Sequence, residues 1–502
     1  MRRRTLLAAG SAFAATALGA IHLAPPAAAA RESDFVEYLL TSLPLRFAPA
    51  PGVDVAMLGY QGRIPGPVLR VRLGQRLRVH YRNRSGSPST IHWHGMILPN
   101  DMDGVPYLTQ APVPSGGDFV YEFAPRPAGT RWYHDHVDMN LVRGLFGMIV
   151  VEDPHDEPAD AEFALVFHDV PSLTSVAAAR RGTSDVPMDG PPDSLELREV
   201  QRAMRARRDG TQRMSGMSGM AIHGPSRKPA MGDEVGYPAH CINGAAYPRT
   251  TPLVVRVGDR VRLRILNANP TQTRYVRLAG HRLLVTHSDG NPLARAVEVD
   301  ALRLGVAERY DAWFEVRRPG AWLLQGISAA GTAGEQAVRV CTPGMERAEP
   351  VRVAQTLAGL DVLSYAGLGG TGRAPLLGAV DVRHDYTLDG GQYGSSRWEI
   401  DHRIWPHVPR IDVRSGRRVV VHFKNTTGMD HAMHLHGHVF ELIEVGGTAL
   451  ARPLRKDTSL VGAFGGTATW RFVADSPPGR WLLHCHNSVH MLDGMMTEVD
   501  YV

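Results

Sequence analysis

Hydrophobic and polar positions alternate in short runs along this chain, and one such arrangement occurs three times. The three copies are residues 59–83, 241–267 and 400–425. Each contains a proline-punctuated stretch, an alternating apolar and basic strand, a tight turn and a second alternating strand that ends in asparagine. The turns are placed at Gly74, Gly258 and Gly416. Alternation with a period of two is typical of half-buried strands. We interpret the repeat as one β-hairpin used three times.

A second repeated element is a strand that begins with tryptophan, at Trp132, Trp322 and Trp481. The two repeats together predict three homologous β-sandwich domains. We place these domains at residues 31–155, 156–345 and 386–502, with the Gly-rich stretch 346–385 as a linker. The middle domain carries an insertion at about 171–235 that is rich in Ser, Gly, Arg, Pro and Met. We expect it to be loop, with one short basic helix near 195–208.

Composition supports this all-β interpretation. The chain has 502 residues, which suggests several domains, and its 52 Gly and 36 Pro favour many short strands separated by turns. The formal net charge is +5, and Arg2, Arg3 and Arg4 contribute three of these charges. A balance this close to neutral gives no indication of nucleic acid or an anionic surface as a partner.

The first 30 residues have the pattern of a targeting segment. The three arginines precede an Ala-rich apolar run to about Leu23, and Ala28 to Ala30 resemble a small-residue cleavage site. The arginines before two leucines resemble a twin-arginine export signal. The alternative is an uncleaved membrane anchor, against which the Ala content and the Pro25-Pro26 break argue. We expect export by the twin-arginine machinery to the periplasm or cell exterior, as a soluble protein with no stable membrane insertion.

Histidines form four separate, non-overlapping His-x-His pairs, two in each end domain and none in the middle domain. The pairs are His92/His94, His134/His136, His434/His436 and His484/His486. Successive side chains of a strand point to opposite faces, so each pair sends both imidazoles to the same side. Eight imidazoles can therefore converge where the first domain meets the third. Imidazole suits copper, and eight nitrogens suffice for three copper ions with open positions for dioxygen.

Cys485 lies between His484 and His486 and must point away from that cluster. With His431, His490 and a weak axial Met495 it forms the two-His, one-Cys, distant-Met set of a blue copper site. One strand thus joins an electron-accepting site to an oxygen-reducing cluster. The other two cysteines, Cys241 and Cys341, either pair in an oxidising compartment or remain small buried residues.

These motifs resemble the four copper-binding segments of the three-domain multicopper oxidases, the group of laccases, bilirubin oxidases and copper-tolerance oxidases. The resemblance implies an all-β fold of three cupredoxin-like Greek-key β-sandwich domains and four copper ions. It also implies four one-electron substrate oxidations coupled to reduction of dioxygen to water. By this resemblance the type 1 ligands are His431, Cys485, His490 and Met495. The implied type 2 ligands are His92 and His434, and the type 3 ligands are His94, His134, His136, His436, His484 and His486.

Acidic residues near the clusters are candidates for proton transfer. Family members often keep an acid beside the type 1 histidine of the last motif, where this chain has only Asp493. The other family acid is retained as Asp103 in Met-Asp-Gly. Asp103 is interpreted either as a proton relay or as an Asp-Gly turn residue.

The inserted stretch provides an indication of the electron donor. Met214, Met217 and Met220 recur every third residue, separated only by Ser and Gly, and thioethers are soft ligands that select cuprous ion. The alternative is an incidental, disordered loop. Met429 and Asp430 precede His431 and either meet the donor or form a turn.

We therefore expect a cuprous oxidase that serves copper tolerance. The alternatives are a laccase that oxidises phenols and a copper-sequestering chaperone with little turnover. A structural family member that has lost its metal is disfavoured by the intact ligand set.

Overall fold

The computed structural model describes residues 35–172, 236–328, 336–354, 356–372, 379–391 and 397–502. About 53% of the chain is strand and 3% is helix, in six sheets, which confirms the predicted all-β fold. The targeting segment 1–30, the helix expected near 195–208 and the methionines of the insertion lie outside the described residues. Within the described ranges, no helix has both the length and the apolar character needed to cross a membrane.

The first unit is a sandwich of two four-stranded sheets. One sheet has the order β2-β1-β4-β6 and the other β3-β8-β7-β5. A single 3₁₀ turn is described in this unit, at Asn100–Met102. The strands are β1 Phe35–Ala50, β2 Val53–Tyr60, β3 Leu69–Arg72, β4 Arg76–Asn83, β5 His92–His94, β6 Asp118–Phe123, β7 Gly129–His134 and β8 Phe146–Glu152.

The middle unit packs a six-stranded sheet, β10-β9-β12-β17-β14-β15, on a five-stranded sheet, β11-β19-β18-β13-β16. Its strands are β9 Ala161–Val170, β10 Ala239–Ile242, β11 Leu253–Val254, β12 Arg260–Asn267, β13 Arg274–Leu278, β14 Leu283–Ser288, β15 Asn291–Val299, β16 Leu302–Leu304, β17 Arg309–Glu315, β18 Ala321–Ser328 and β19 Gln336–Cys341. Cys241 and Cys341 are buried free thiols here, so the structure contains no disulfide between them.

The third unit repeats this arrangement with the sheets β21-β20-β23-β28-β25-β26 and β22-β30-β29-β24-β27. A short helix, α1, precedes it at Tyr365–Gly369, and a second, α2, lies near its end at Ser488–Leu492. Its strands are β20 Val382–Gly390, β21 Trp398–Ile400, β22 Ile411–Val413, β23 Arg418–Asn425, β24 His431–Leu435, β25 Phe440–Val445, β26 Thr448–Lys456, β27 Thr458–Val461, β28 Thr467–Val473, β29 Arg480–Cys485 and β30 Met496–Tyr501.

The repeated two-strand element is a crossover between sheets, so the β-hairpin interpretation is wrong. β3 pairs with β8, whereas β4, after the turn at Gly74, pairs with β1 and β6 in the opposite sheet. β11 and β12 separate in the same way, and so do β22 and β23. Alternation reports which side of a strand is buried, but it carries no information about which strand is the hydrogen-bonding partner.

The asparagine that ends each repeat has a structural role. Asn83, Asn267 and Asn425 are fully buried at the ends of β4, β12 and β23. Their amides donate to the carbonyls of Val113 at 2.8 Å, Leu304 at 2.9 Å and Val461 at 3.1 Å. A buried backbone acceptor needs such a donor, so the repeated asparagine fastens a loop to the strand end in each unit.

The expected linker is in contact with the units on either side of it. The Leu363 amide donates to Ala301 of the middle unit at 2.8 Å. Tyr365 of α1 donates to Glu308 at 2.6 Å and accepts from the Leu460 amide of the third unit at 2.9 Å. β20 begins at Val382, earlier than the domain start expected at residue 386.

A network of buried charges joins all three units. Its members are Arg131 of the first unit, Asp289, Glu308 and Arg309 of the middle unit, and Lys456 and Asp457 of the third, and all are fully buried. Lys456 lies 3.0 Å from Asp289 and 2.9 Å from Glu308. Asp457 lies 2.5 Å from Arg309 and 3.3 Å from Arg131. Each buried charge is paired, which is the condition under which such groups are tolerated.

Candidate metal centres

The four histidine pairs lie on or directly after two pairs of neighbouring strands. His92 on β5 lies opposite His134 on β7, and His434 on β24 lies opposite His484 on β29. All eight imidazoles are at most 2% exposed. Rings from the first and third units are in contact, with His92 and His436 stacked at a centroid distance of 3.7 Å. The structure therefore brings the eight predicted histidines together between these two units.

Hydrogen bonds to backbone carbonyls define which ring nitrogen is available in four of these eight histidines. The Nδ1 atoms of His92, His134, His434 and His484 donate to backbone carbonyls at 2.8–2.9 Å. A carbonyl only accepts, so each Nδ1 carries the proton and each Nε2 presents a lone pair.

The available nitrogens face one another in three contacts across the cluster. The Nε2–Nε2 distances are 3.4 Å for His92 and His434, 3.1 Å for His436 and His484, and 3.3 Å for His134 and His486. In the contacts His92–His434 and His436–His484 the Nδ1 atoms hold the protons, so two Nε2 lone pairs face each other; such lone pairs repel and are stabilised by a cation between them. The donor chemistry therefore fits bound copper, for which neutral imidazole is a suitable ligand.

Two further imidazoles complete the cluster. His94 reaches Asp457 Oδ1 at 3.1 Å and Thr458 Oγ1 at 3.0 Å through Nε2, which leaves its buried Nδ1 without a hydrogen-bond partner. Neither ring nitrogen of His136 has a hydrogen-bond partner. His136, His436 and His484 form one group with metal-ligand spacing, and His92, His94 and His134 form another. Buried polar atoms are rarely left unsatisfied, so these nitrogens also point to a bound ion.

Burial keeps the cluster histidines neutral. It lowers the pKa of His484 to about 4. For six others burial is again the first cause, and neighbouring imidazoles add to it, so that the pKa falls well below the usual range: His94, His134, His136, His434, His436 and His486. Neutral imidazole is the form that binds a metal, so no proton need be displaced at neutral pH.

The predicted type 1 residues form a second buried group in the third unit. Cys485 Sγ lies 3.7 Å from His431 Nδ1 and 3.4 Å from His490 Nδ1, and these two nitrogens are 3.0 Å apart. His490 lies on α2, and the fully buried Met495 follows that helix. The Met495 carbonyl accepts from the Cys485 amide at 3.1 Å, which places the two residues side by side. A thiolate and two imidazoles near a thioether suit copper.

Three acidic residues lie near these groups. Asp103 is fully buried, and its Oδ2 accepts from His436 Nδ1 at 2.9 Å, while its Oδ1 lies 3.2 Å from His92 Nδ1. Asp493 is buried at the end of α2, between His490 and Met495 in sequence, and its part in proton transfer stays a prediction. The sequence reasoning missed Asp457, which contacts His94. It stands alone, 23 residues after His434, without a motif to mark it.

The residues expected to meet the donor have contacts of their own. Asp430 forms an ion pair with Arg303 of the middle unit and accepts from the Ala463 amide at 3.0 Å. Met429 is half-buried against the core. A cation at Asp430 would therefore compete with Arg303.

Comparison with known proteins gives the same family over all three units. Segments 45–156, 221–338 and 380–502 each match a multicopper oxidase family. The chain is 32% identical to multicopper oxidase MmcO of Mycobacterium tuberculosis, with 99% of this chain and 92% of that protein covered. It is 24% identical to a copper resistance protein A homologue of Pseudomonas syringae pv. tomato, with 87% of this chain and 88% of that protein covered.

A solved laccase from Botrytis aclada shares the fold, with a TM-score of 0.72 and 20% identity over 93% of this chain and 88% of the laccase. The identity to MmcO extends over nearly the whole of both proteins, and the matched segments contain every histidine pair described above. The chain belongs to the multicopper oxidase family.

Proposed function

We propose that the protein couples one-electron oxidation of a donor at a type 1 copper to reduction of dioxygen to water at three further coppers. The observation that carries this proposal is the position of Cys485. Its thiol faces His431 and His490, while its neighbours His484 and His486 face the other imidazoles. The two groups are thus joined by adjacent peptide units of a single strand.

The grouping of nitrogen atoms supports an assignment of ligands. We assign His92 and His434 to a type 2 copper, and the facing pairs His436/His484 and His134/His486 to the two type 3 coppers. His136 and His94 complete the type 3 sets. When bound, the four coppers supply the reversible one-electron chemistry that amino-acid side chains lack.

The protein's own groups position the ligands and supply protons. Backbone carbonyls hold the Nδ1 protons, so the Nε2 lone pairs are oriented before any metal binds. Asp103 holds His436 through Oδ2 and lies beside His92, and we propose that its carboxylate passes protons toward the cluster. Burial of all eight imidazoles excludes bulk water from the place where dioxygen would react.

Cuprous ion is the donor that we propose first, in a role in copper tolerance. The support is the spacing of Met214, Met217 and Met220 in the sequence and the similarity to a protein named for copper resistance. The similarity to a laccase keeps phenols as the second candidate. Residues 1–30 support export by the twin-arginine machinery.

Oxygen uptake by copper-loaded protein tests this proposal. The protein should be blue, because a thiolate bound to cupric ion in a His₂Cys site gives an intense visible band. Cys485→Ser should lose both the band and oxygen uptake, whereas Cys341→Ser, at another buried thiol, should keep both. Protein that binds copper without a blue band would contradict the type 1 assignment. Bound copper and a blue band without oxygen uptake, with either cuprous ion or a phenol, would favour the copper-sequestering alternative.

Changing Met214, Met217 and Met220 together to Ser tests the choice of donor. If these thioethers gather cuprous ion, the KM for cuprous ion should rise while activity on a phenol stays level. An unchanged KM for cuprous ion would remove the support from this segment. Equal losses on both donors would assign it a structural role.

A further inference from the structure

The indole of Trp398 lies directly against the type 1 group. Its ring centroid is 3.8 Å from that of His490 with an interplanar angle of 32°, and 5.4 Å from that of His431 at 71°. Trp398 is therefore part of the immediate surroundings of both imidazoles, although it is not a ligand.

The backbone holds the indole in this place. Trp398 begins β21, opposite Gly390 at the end of β20. The exposed Gly391 lies against the benzene end of the indole, where a Cβ atom would be only 2.2 Å from Cη2. The absence of a side chain at Gly391 therefore leaves the space that the ring occupies. The indole therefore packs against both a surface glycine and the imidazole of His490.

Exposure shows what this arrangement does. His431, Cys485 and His490 are each 0% exposed, while Trp398 is 6% exposed. The nearly buried indole thus covers part of the imidazole of His490 and also reaches the surface residue Gly391. An apolar ring that covers a metal ligand keeps water from the metal site. It also increases the distance between the metal and a donor outside the protein.

We propose that Trp398 is a specificity-determining residue, whose indole limits access to His490 and favours small donors such as cuprous ion over bulky aromatic reductants. The inference rests on the proposed function, in which His431, Cys485, His490 and Met495 hold the electron-accepting copper. In the step concerned, the donor loses one electron and that copper gains it. No bond to Trp398 forms or breaks.

Two variants, Trp398→Phe and Trp398→Ala, remove in stages the indole that covers His490, which we call the cover. Trp313→Phe is the matched control, because Trp313 is also buried but lies in the middle unit and donates to Thr286. The first measurement uses copper-free protein and follows alkylation of Cys485 by a small and by a bulky thiol reagent. Cys485→Ser identifies which thiol reacts. The second uses copper-loaded protein and compares kcat/KM for cuprous ion with kcat/KM for a bulky phenol.

Both the alkylation rate of Cys485 and the phenol-to-cuprous ratio of kcat/KM should be highest in Trp398→Ala, intermediate in Trp398→Phe and lowest in wild type. Trp313→Phe should equal wild type in both. From wild type to the Trp398 variants, the alkylation rate should increase more for the bulky reagent than for the small one. For Trp398→Ala the phenol-to-cuprous ratio of kcat/KM should rise on the order of tenfold. The reduction potential of the blue site should fall as water enters. Unchanged alkylation rates in Trp398→Phe, together with an unchanged donor ratio, would overturn the proposal.

Failure of the proposed function can be told apart from failure of the cover. Alkylation of Cys485 requires neither bound copper nor turnover, so it tests the cover even if Trp398→Ala or wild type binds no type 1 copper. A blue, active wild type whose Cys485 thiol is as reactive as in the variants would contradict the cover alone. A wild type that is never blue would contradict the proposed function alone.

Discussion

Asp457 links the charge network between the three units to the histidine cluster. Its carboxylate forms an ion pair with Arg309 at 2.5 Å, and neither charge is exposed to solvent because both residues are fully buried. The same carboxylate accepts from His94 Nε2 at 3.1 Å, which turns His94 Nδ1 toward the other imidazoles. One side chain therefore neutralises a buried guanidinium and orients a proposed copper ligand.

Replacing Asp457 with Asn should harm both functions. Arg309 would keep Asp289, at 3.5 Å, but Arg131 and Arg309 would both lose the Asp457 carboxylate, which is expected to cost about 3–5 kcal/mol of unfolding free energy. Urea denaturation measures this loss. Asp412→Asn is the control, because its ion pair with Arg410 is half-exposed and should contribute little. Unchanged stability and unchanged copper content in Asp457→Asn would show that the network does not support the cluster.

His168 predicts a pH dependence of stability that is independent of the metal ligands. Burial lowers its pKa to about 4, and its Nε2 accepts from the Gly244 amide at 3.1 Å. The unfolded chain takes up this proton near pH 6.5 and the folded chain does not, so stability present above pH 6.5 is lost as pH falls toward 4. The loss is roughly 3 kcal/mol.

The variant His168→Gln tests this assignment, because glutamine still accepts a hydrogen bond but does not titrate. Unfolding free energies at neutral pH and near pH 4.5 should differ less in this variant than in wild type. His407→Gln, at an exposed position, serves as the control. A pH dependence identical in all three proteins would contradict the role given to His168.

The close approach of the loop at Gly104 to β5 positions the first histidine pair. Gly104 has φ +83, and a Cβ atom there would lie 2.0 Å from the Ile91 carbonyl and 2.7 Å from the His92 amide. Gly104→Ala should therefore displace β5 and lower the copper content of the cluster, while the blue band of the third unit persists.

Gly116→Ala is the matched control for that prediction. Gly116 has φ +90, and no atom lies within 4 Å of the added Cβ. The alanine variant therefore has only the backbone strain of a positive φ, about 1–2 kcal/mol. Copper analysis and thermal unfolding compare the two. Equal effects would mean that strain, and not contact with β5, explains the loss.

The strands and the three similar units could be predicted from the sequence, because period-two alternation and the three-fold repeat are visible directly in the sequence. The histidine pairs were predictable for the same reason, since His-x-His on a strand has one geometric outcome. The pairing of β3 and β4 was not, because a strand's partner depends on distant residues. Asp457 and Trp398 were missed because each acts alone and reaches the site only through the folding of the third unit.

The proposed copper cluster joins units that are far apart in sequence. Ligands come from β5 and β7 in the first unit and from β24 and β29 in the third. Metal bound by the folded state alone adds to stability by mass action, on the order of 4 kcal/mol when free metal exceeds its dissociation constant about a thousandfold.

Removing all copper should therefore lower Tm far more than Cys485→Ser does, because that variant loses only the site within one unit. Calorimetry of holoprotein, copper-free protein and the variant gives the comparison. Similar Tm values for copper-free and holoprotein would contradict a cluster that bridges the units.

The placement of the histidine pairs also sets an order in time. During synthesis His92, His94, His134 and His136 are complete long before β24 and β29 exist, and the whole middle unit is translated in between. A nascent chain thus holds one ring of two facing contacts, His92 and His134, neither ring of the contact between His436 and His484, and not the Cys485 thiol. In the proposed function, reactivity toward dioxygen would therefore be acquired only in the last stage of assembly, when β29 is inserted between β24 and β30 and both groups of ligands are completed together.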